Sequence, residues 1–159
     1  MALKARWRGF DPNYPKKVEQ AIINRMMRVG EQFISDCRNE STYKDQTGNL
    51  RSSIGYFILK GDKVIHANLN GKSTGIKAAV ETLKEVINQL RGKKRDTIRM
   101  VGVAGMNYAS LVEARGLNVI TMQSMVAIES LDKQLKQLAK KTGREINTSS
   151  QGVSSLIDF

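Results

Sequence analysis

Apolar residues recur every three or four positions along the segment that follows Pro15, and this long stripe is the strongest constraint on the fold. The stripe consists of Val18, Ile22, Met26, Val29, Phe33 and Cys37. Spacing of this kind is typical of an amphipathic helix. The pattern predicts a helix over residues 14–40, roughly 40 Å long at ~1.5 Å per residue. A compact domain of this size does not need a helix of that length. The segment is therefore predicted to be either a single long core helix or a helix that also faces another subunit.

The rest of the chain combines short strand patterns with two further helices. Strands are predicted at 54–59, 63–67, 97–104 and 117–120, with short helical turns at 49–53 and 107–114 and helices at 76–90 and 122–141. The last helix is predicted to bury Met125, Ile128, Leu131, Leu135 and Leu138. We therefore predict an α+β fold in which a small, mostly antiparallel sheet packs against the first and last helices.

The 159 residues suit one domain, at 14–143, with two terminal segments. The helix and loop at 68–96 are predicted to be an insertion in this domain. Residues 1–13 form a basic arm, and residues 144–159 are either a strap that docks on a neighbour or a disordered end. Deleting 144–159 is expected to preserve the folded monomer and to weaken assembly. Apolar residues in the two ends are the candidates for subunit or partner contacts: Trp7, Phe10, Leu156, Ile157 and Phe159.

The chain carries 26 basic and 15 acidic residues, a net charge of +11. Such an excess suggests an anionic neighbour: nucleic acid, a membrane surface or an acidic protein. The densest run, in a predicted loop, is the candidate contact with DNA or an acidic partner, although a solvated surface is the commoner role. It consists of Arg91, Lys93, Lys94 and Arg95. No segment has the length and apolar composition of a membrane span or a signal peptide, so we expect a soluble protein.

Residues suited to catalysis are few. One cysteine, Cys37, lies on the apolar stripe of the first helix, and one histidine, His66, lies in a predicted strand, where a half-buried structural role is expected. The Gly71-Lys72-Ser73 sequence lacks the glycine that a phosphate-binding loop requires five positions earlier, where His66 stands. We expect no catalytic residue, metal site or cofactor.

Two segments are recognisable as motifs. Residues 43–54 read YKDQTGNLRSSI and lead into a predicted strand, while residues 105–113 read GMNYASLVE and follow one. In this order, after a long N-terminal helix, they resemble segments of the head–tail joining or tail-completion (neck) proteins of tailed bacteriophages, also known as minor tail components. The resemblance covers residues 14–141. The matching residues are Thr47, Gly48, Leu50, Ser53 and Ile54 in the first segment and Tyr108, Ala109, Val112, Glu113 and Gly116 in the second.

Two departures from the family pattern affect the loops. Gln46 separates Asp45 from Thr47, and Ala114 with Arg115 lengthens the step from Glu113 to Gly116. The family's loop contacts are therefore not transferred to this chain.

The resemblance implies a structural virion protein, assembled in the cytoplasm of a host bacterium. Its implied partners are further copies of itself in a ring, often sixfold, together with the portal or connector and the tail proteins. The positive charge would suit a lumen crossed by DNA or an acidic adjoining ring. The alternatives are a nonspecific basic nucleic-acid-binding protein and, third, a small enzyme whose site has no recognisable motif.

Overall fold

The computed structural model describes residues 2–7, 14–90, 97–143 and 146–151. The strands are β1 (Ala2–Trp7), β2 (Ile54–Lys60), β3 (Lys63–Leu69), β4 (Ile98–Ala104) and β5 (Ile146–Gln151). The helices are α1 (Tyr14–Asn39), α2 (Asn49–Ser52), α3 (Ser73–Leu90), α4 (Ala109–Ala114) and α5 (Thr121–Thr142). The predicted long first helix, the strands predicted at 54–59 and 63–67, which pair as the hairpin β2–β3, and the last helix are therefore confirmed.

The five strands form one sheet in the order β3-β2-β4-β1-β5, and every neighbouring pair is antiparallel. In its centre β2 pairs with β4, from Ile54 opposite Ala104 to Lys60 opposite Ile98. The predicted α+β class with an antiparallel sheet is confirmed.

Helices cover both faces of this sheet. Because side chains alternate along a strand, Ile54, Tyr56 and Ile58 of β2 join the core beneath α1 and α5. Phe57 and Leu59 join a second core beneath α3. The helix predicted to be an insertion is α3, which covers the second face of the sheet. Both faces of β2 are therefore buried, which explains why its apolar run is uninterrupted.

The helices α1 and α5 lie side by side on the first face and run antiparallel. Gln123, in the first turn of α5, donates from Nε2 to Oε2 of Glu40, one residue beyond α1, at 2.7 Å. From this meeting point α5 runs back along α1, and both helices contribute to the same core. Met125 is not in that core, contrary to the prediction. The helix buries the smaller Ser124 and Ala127 together with Leu131, Leu135 and Leu138.

The structure corrects the description of both ends. Ala2–Trp7 is strand β1, paired with β4 on one side and with β5 on the other, rather than part of an arm outside the domain. Ile146–Gln151 is strand β5 and not a detached tail. Backbone pairing accounts for both differences, because hydrogen bonds to the edge of a neighbouring strand can hold a short strand that has few apolar residues.

The strand predicted at 117–120 is also wrong. These residues form an irregular connection between α4 and α5. The backbone N–H groups of Asn118, Val119 and Ile120 bond to side chains, and that of Leu117 bonds to the Val112 carbonyl, so none of them pairs with a neighbouring strand.

Candidate subunit interface

The two motif segments meet at one end of the central strand pair. The Ser53 hydroxyl accepts the N–H of Met106 at 3.3 Å, and the Ser53 carbonyl accepts the N–H of Gly105 at 3.2 Å. The next residue, Ile54, lies opposite Ala104 in the sheet. Segments more than 50 positions apart in sequence are therefore joined directly by backbone and side chain.

The first segment makes a tight turn into α2. Gly48 precedes this helix with φ of 72°, a left-handed conformation that disfavours residues with a side chain. Thr47 Oγ1 accepts the N–H of Asn49 at 3.3 Å. Asp45 was not predicted to take part, yet its Oδ2 accepts the N–H of Arg51 at 2.8 Å. Gln46 thus leaves Asp45 able to reach the helix.

The apolar residues of the motifs serve the core. Leu50, Ile54 and Ala109 are buried in it, and Tyr108 and Val112 pack against it. Their shared role is to bring α2 and α4 onto the same end of the sheet. These residues therefore shape the candidate interface from beneath.

Glu113 holds the start of α5. Its Oε1 accepts the N–H groups of Val119 at 3.3 Å, Ile120 at 2.8 Å and Thr121 at 2.9 Å. Burial raises the pKa of the Glu113 carboxyl, but hydrogen bonds from Thr121 and from these backbone groups outweigh that effect and hold the pKa below its ordinary value. Gly116, with φ of 77°, allows the chain to turn between α4 and this cap.

Four large apolar side chains are exposed on α4 and on the start of α5, which Glu113 joins; we name them the apolar patch. Leu111 of α4 is 57% exposed, and on the first two turns of α5 Met122 is 64%, Met125 64% and Val126 59% exposed. Met122 and Val126 are four residues apart and therefore share a helix face. Sequence reasoning missed this patch because it assigned Met125 to the core. The signal that could have revealed the patch is a second helical stripe on α5, which begins at Ser124 and Ala127 and competes with Met125 for the core. The small side chains of Ser124 and Ala127 made this stripe less conspicuous.

His66 takes part in a polar cluster between α1 and the hairpin. The Tyr56 hydroxyl donates to Oε1 of Glu31 at 2.8 Å and lies 3.1 Å from Nε2 of His66. Asn68 Nδ2 donates to the same Glu31 oxygen at 2.6 Å. Burial, together with the hydrogen bond to and negative charge of Glu31, raises the pKa of the Tyr56 phenol above its usual range. His66 is half-buried, as predicted.

Cys37 of α1 is buried in the core between the sheet and the helices α1 and α5. Burial and the nearby Asp36 carboxylate raise the pKa of its thiol to about 12. The thiolate, which is the nucleophilic form, is therefore scarce at neutral pH.

Several residues predicted to make contacts lie outside the described ranges. These are Phe10, Arg91, Lys93, Lys94, Arg95, Leu156, Ile157 and Phe159. Trp7 ends β1 and lies opposite Ile146 of β5.

Two further findings concern the described residues alone. They contain no group of three or more His, Cys, Asp or Glu side chains arranged to hold a metal ion. None of the helices they form has both the length and the apolar character required to cross a membrane.

Comparisons of the chain with protein-family models, with curated proteins and with solved structures each returned no match. The resemblance to phage neck proteins therefore stays a prediction from the two motifs and from the order of elements around them.

Proposed function

We propose that the protein is a structural component of a tailed phage that assembles into a homo-oligomeric ring and joins the head to the tail. The observation that carries this proposal is the apolar patch, which lies on α4 of the second motif segment and on the start of α5, the helix end that Glu113 of that segment holds. Large apolar side chains grouped on an exposed surface are typical of protein–protein contacts. The motif residues then have one purpose, which is to build a rigid support beneath a contact surface.

A ring made of identical subunits requires two different surfaces on each subunit, because its contacts run head to tail. The apolar patch supplies one. Among the described residues, the other exposed large apolar side chains are Val64 and Ile65, each 38% exposed. Both lie on β3, an edge strand of the sheet and a separate part of the fold. We therefore assign the patch and the β3 edge to the two sides of the subunit contact.

The proposal is tested by light scattering after size-exclusion chromatography over a range of concentrations, with negative-stain imaging of the assembled species. We expect a closed ring for the wild type. The double variant Met125→Gln/Val126→Gln should remain monomeric with unchanged circular dichroism and melting temperature. Glu129→Gln, one turn further along α5 and also exposed, is the matched control and should assemble normally.

A wild-type chain that stays monomeric at every concentration would contradict the ring, and a patch variant that forms rings as readily as the wild type would contradict the assignment of the patch to the subunit contact. The assignment to the neck is tested separately in the phage that carries the gene. Without this chain, filled heads and free tails should accumulate unjoined. Normal yields of infectious particles would refute the neck assignment.

A further inference from the structure

The antiparallel packing of α1 and α5 gathers basic side chains at one end of the helix layer. The last turn of α1 meets the first turn of α5 through Glu40 and Gln123. The amino-terminal part of α1, up to Arg28, therefore lies beside the carboxyl-terminal half of α5, and each of these segments is rich in lysine or arginine. We call this surface the basic end; its members are Lys16, Lys17, Arg25, Arg28, Lys133, Lys136, Lys140 and Lys141.

Few negative charges oppose this group. In α1 up to Arg28 the one acidic residue is Glu19, which pairs with Lys60 at 2.8 Å. In α5 from residue 132 onward the one acidic residue is Asp132, which pairs with Lys136 at 2.6 Å. Both acids are thus already neutralised by a lysine. The basic end retains a large excess of positive charge, and all of its members except the half-buried Arg25 are exposed.

The remainder of the outer surface of α5 differs in character. Its first two turns carry the apolar patch, and Glu129 follows before the lysines begin. The two ends of the same helix therefore present different chemistry, with apolar residues at one end and cations at the other. On this helix the region suited to subunit contact, the apolar patch, is therefore separate from the region suited to contact with an anion, the basic end.

We propose that the basic end binds the phosphate backbone of duplex DNA without reading its sequence. From Lys16 to Arg28 the cations of α1 extend over roughly 18 Å, at ~1.5 Å per residue. That length matches about five base pairs of B-DNA at ~3.4 Å each. Lysine and arginine contacts to phosphates carry no sequence information, so the proposal is limited to nonspecific binding. The choice of DNA over an acidic protein rests on the proposed function, since DNA passes through a head–tail joint.

The test is the binding of a labelled random-sequence duplex of about 20 base pairs, measured by fluorescence anisotropy at several salt concentrations. Each phosphate contact contributes ~0.9 to the slope of log K against log salt. The α5 variant Lys133→Gln/Lys140→Gln and the α1 variant Lys17→Gln/Arg28→Gln should each lower the slope by up to ~1.8 and weaken binding about tenfold or more at low salt. Their effects should add when the two variants are combined.

The matched control is Lys77→Gln/Lys84→Gln, which removes the same charge from exposed positions of α3 on the opposite face of the sheet. It should leave slope and affinity near wild type. Equal losses in the control and test variants would mean that net charge alone drives binding, and no loss in the test variants would place the DNA contact elsewhere. Either result overturns the proposal, as does a wild type that does not bind the duplex. Ring formation is measured independently by light scattering, so failure of one proposal is distinguishable from failure of the other.

Discussion

Thr121, the first residue of α5, donates its hydroxyl proton to Oε2 of Glu113 at 2.6 Å. The other carboxylate oxygen of Glu113 accepts three backbone N–H groups at the same helix start. One side chain from α4 thereby satisfies donors that a helix leaves without intrahelical partners. The orientation of α5, and with it the position of the apolar patch, depends on this contact.

We predict that Glu113→Ala lowers the free energy of unfolding by about 2 kcal/mol, since it leaves partly buried N–H groups without an acceptor. Glu113→Gln keeps an oxygen in place and should cost about half as much. Denaturation in urea measures both changes. Glu85→Ala, at an exposed position of α3, is the control and should stay within about 0.5 kcal/mol of wild type. A cost for Glu113→Ala no larger than this would show that the cap contributes little.

Stability should also depend on pH through Glu113. Its folded-state pKa lies below the ordinary value of 4.5, so its stabilising effect is fully present above pH 4.5 and declines as the pH falls through the folded-state value. The difference in unfolding free energy between wild type and Glu113→Gln should therefore be constant near neutrality and shrink in acid. Urea titrations of the two proteins at several pH values measure it. A difference that grows as the pH falls would contradict the assigned shift.

Gly30→Ala should destabilise the protein, although alanine favours a helix by about 1 kcal/mol over glycine. A Cβ at Gly30 would lie 2.6 Å from three atoms of the Tyr56 ring, and this ring is held by the hydrogen bond from its hydroxyl to Glu31. Overpacking of this kind typically costs about 1 to 3 kcal/mol. In a Tyr56→Leu background the same change should be neutral or stabilising. Thermal unfolding of the four proteins tests the prediction, which fails if Gly30→Ala stabilises the otherwise wild-type chain.

Removing residues 144–159 should destabilise the fold, which revises the expectation drawn from sequence. The deletion removes β5 and exposes the β1 edge along the whole register from Ala2–Gln151 to Trp7–Ile146. Exposed strand edges promote aggregation. A chain ending at Gln151 keeps the strand and should match the full chain in unfolding free energy, measured by denaturation in urea. Equal stability of the chain ending at Gly143 would show that β5 adds nothing to the sheet.

The main elements were predictable because their signals are local. The stripe from Val18 to Cys37 predicts α1 closely, and the Gly61-Asp62 turn between apolar runs predicts the hairpin. The uninterrupted apolar run of β2 was the one sign that both faces of the sheet are covered. This interpretation of β2 requires knowing that α3 and α1 lie on opposite faces of the sheet. No single segment of the sequence contains that information.

The candidate interface was less predictable, for a geometric reason. On α5, Met125 and Ala127 compete for the core, and hydropathy alone favours the methionine. The structure buries Ala127 instead, on the same helix face as Leu131, Leu135 and Leu138, and leaves Met125 exposed. Exposed apolar residues are thus recognised only after the helix has been docked.

The amino-acid sequence by itself determined the α+β class, the helix stripes, the hairpin and the net positive charge, since each depends on residues close together in the chain. Tertiary structure alone decided that the two ends become neighbouring strands, that the two motif segments join through Ser53 and Gly105, and that basic residues more than 100 positions apart share one surface. The physical reason is that backbone pairing and helix packing bring together groups whose separation in the sequence carries no information about their distance in space.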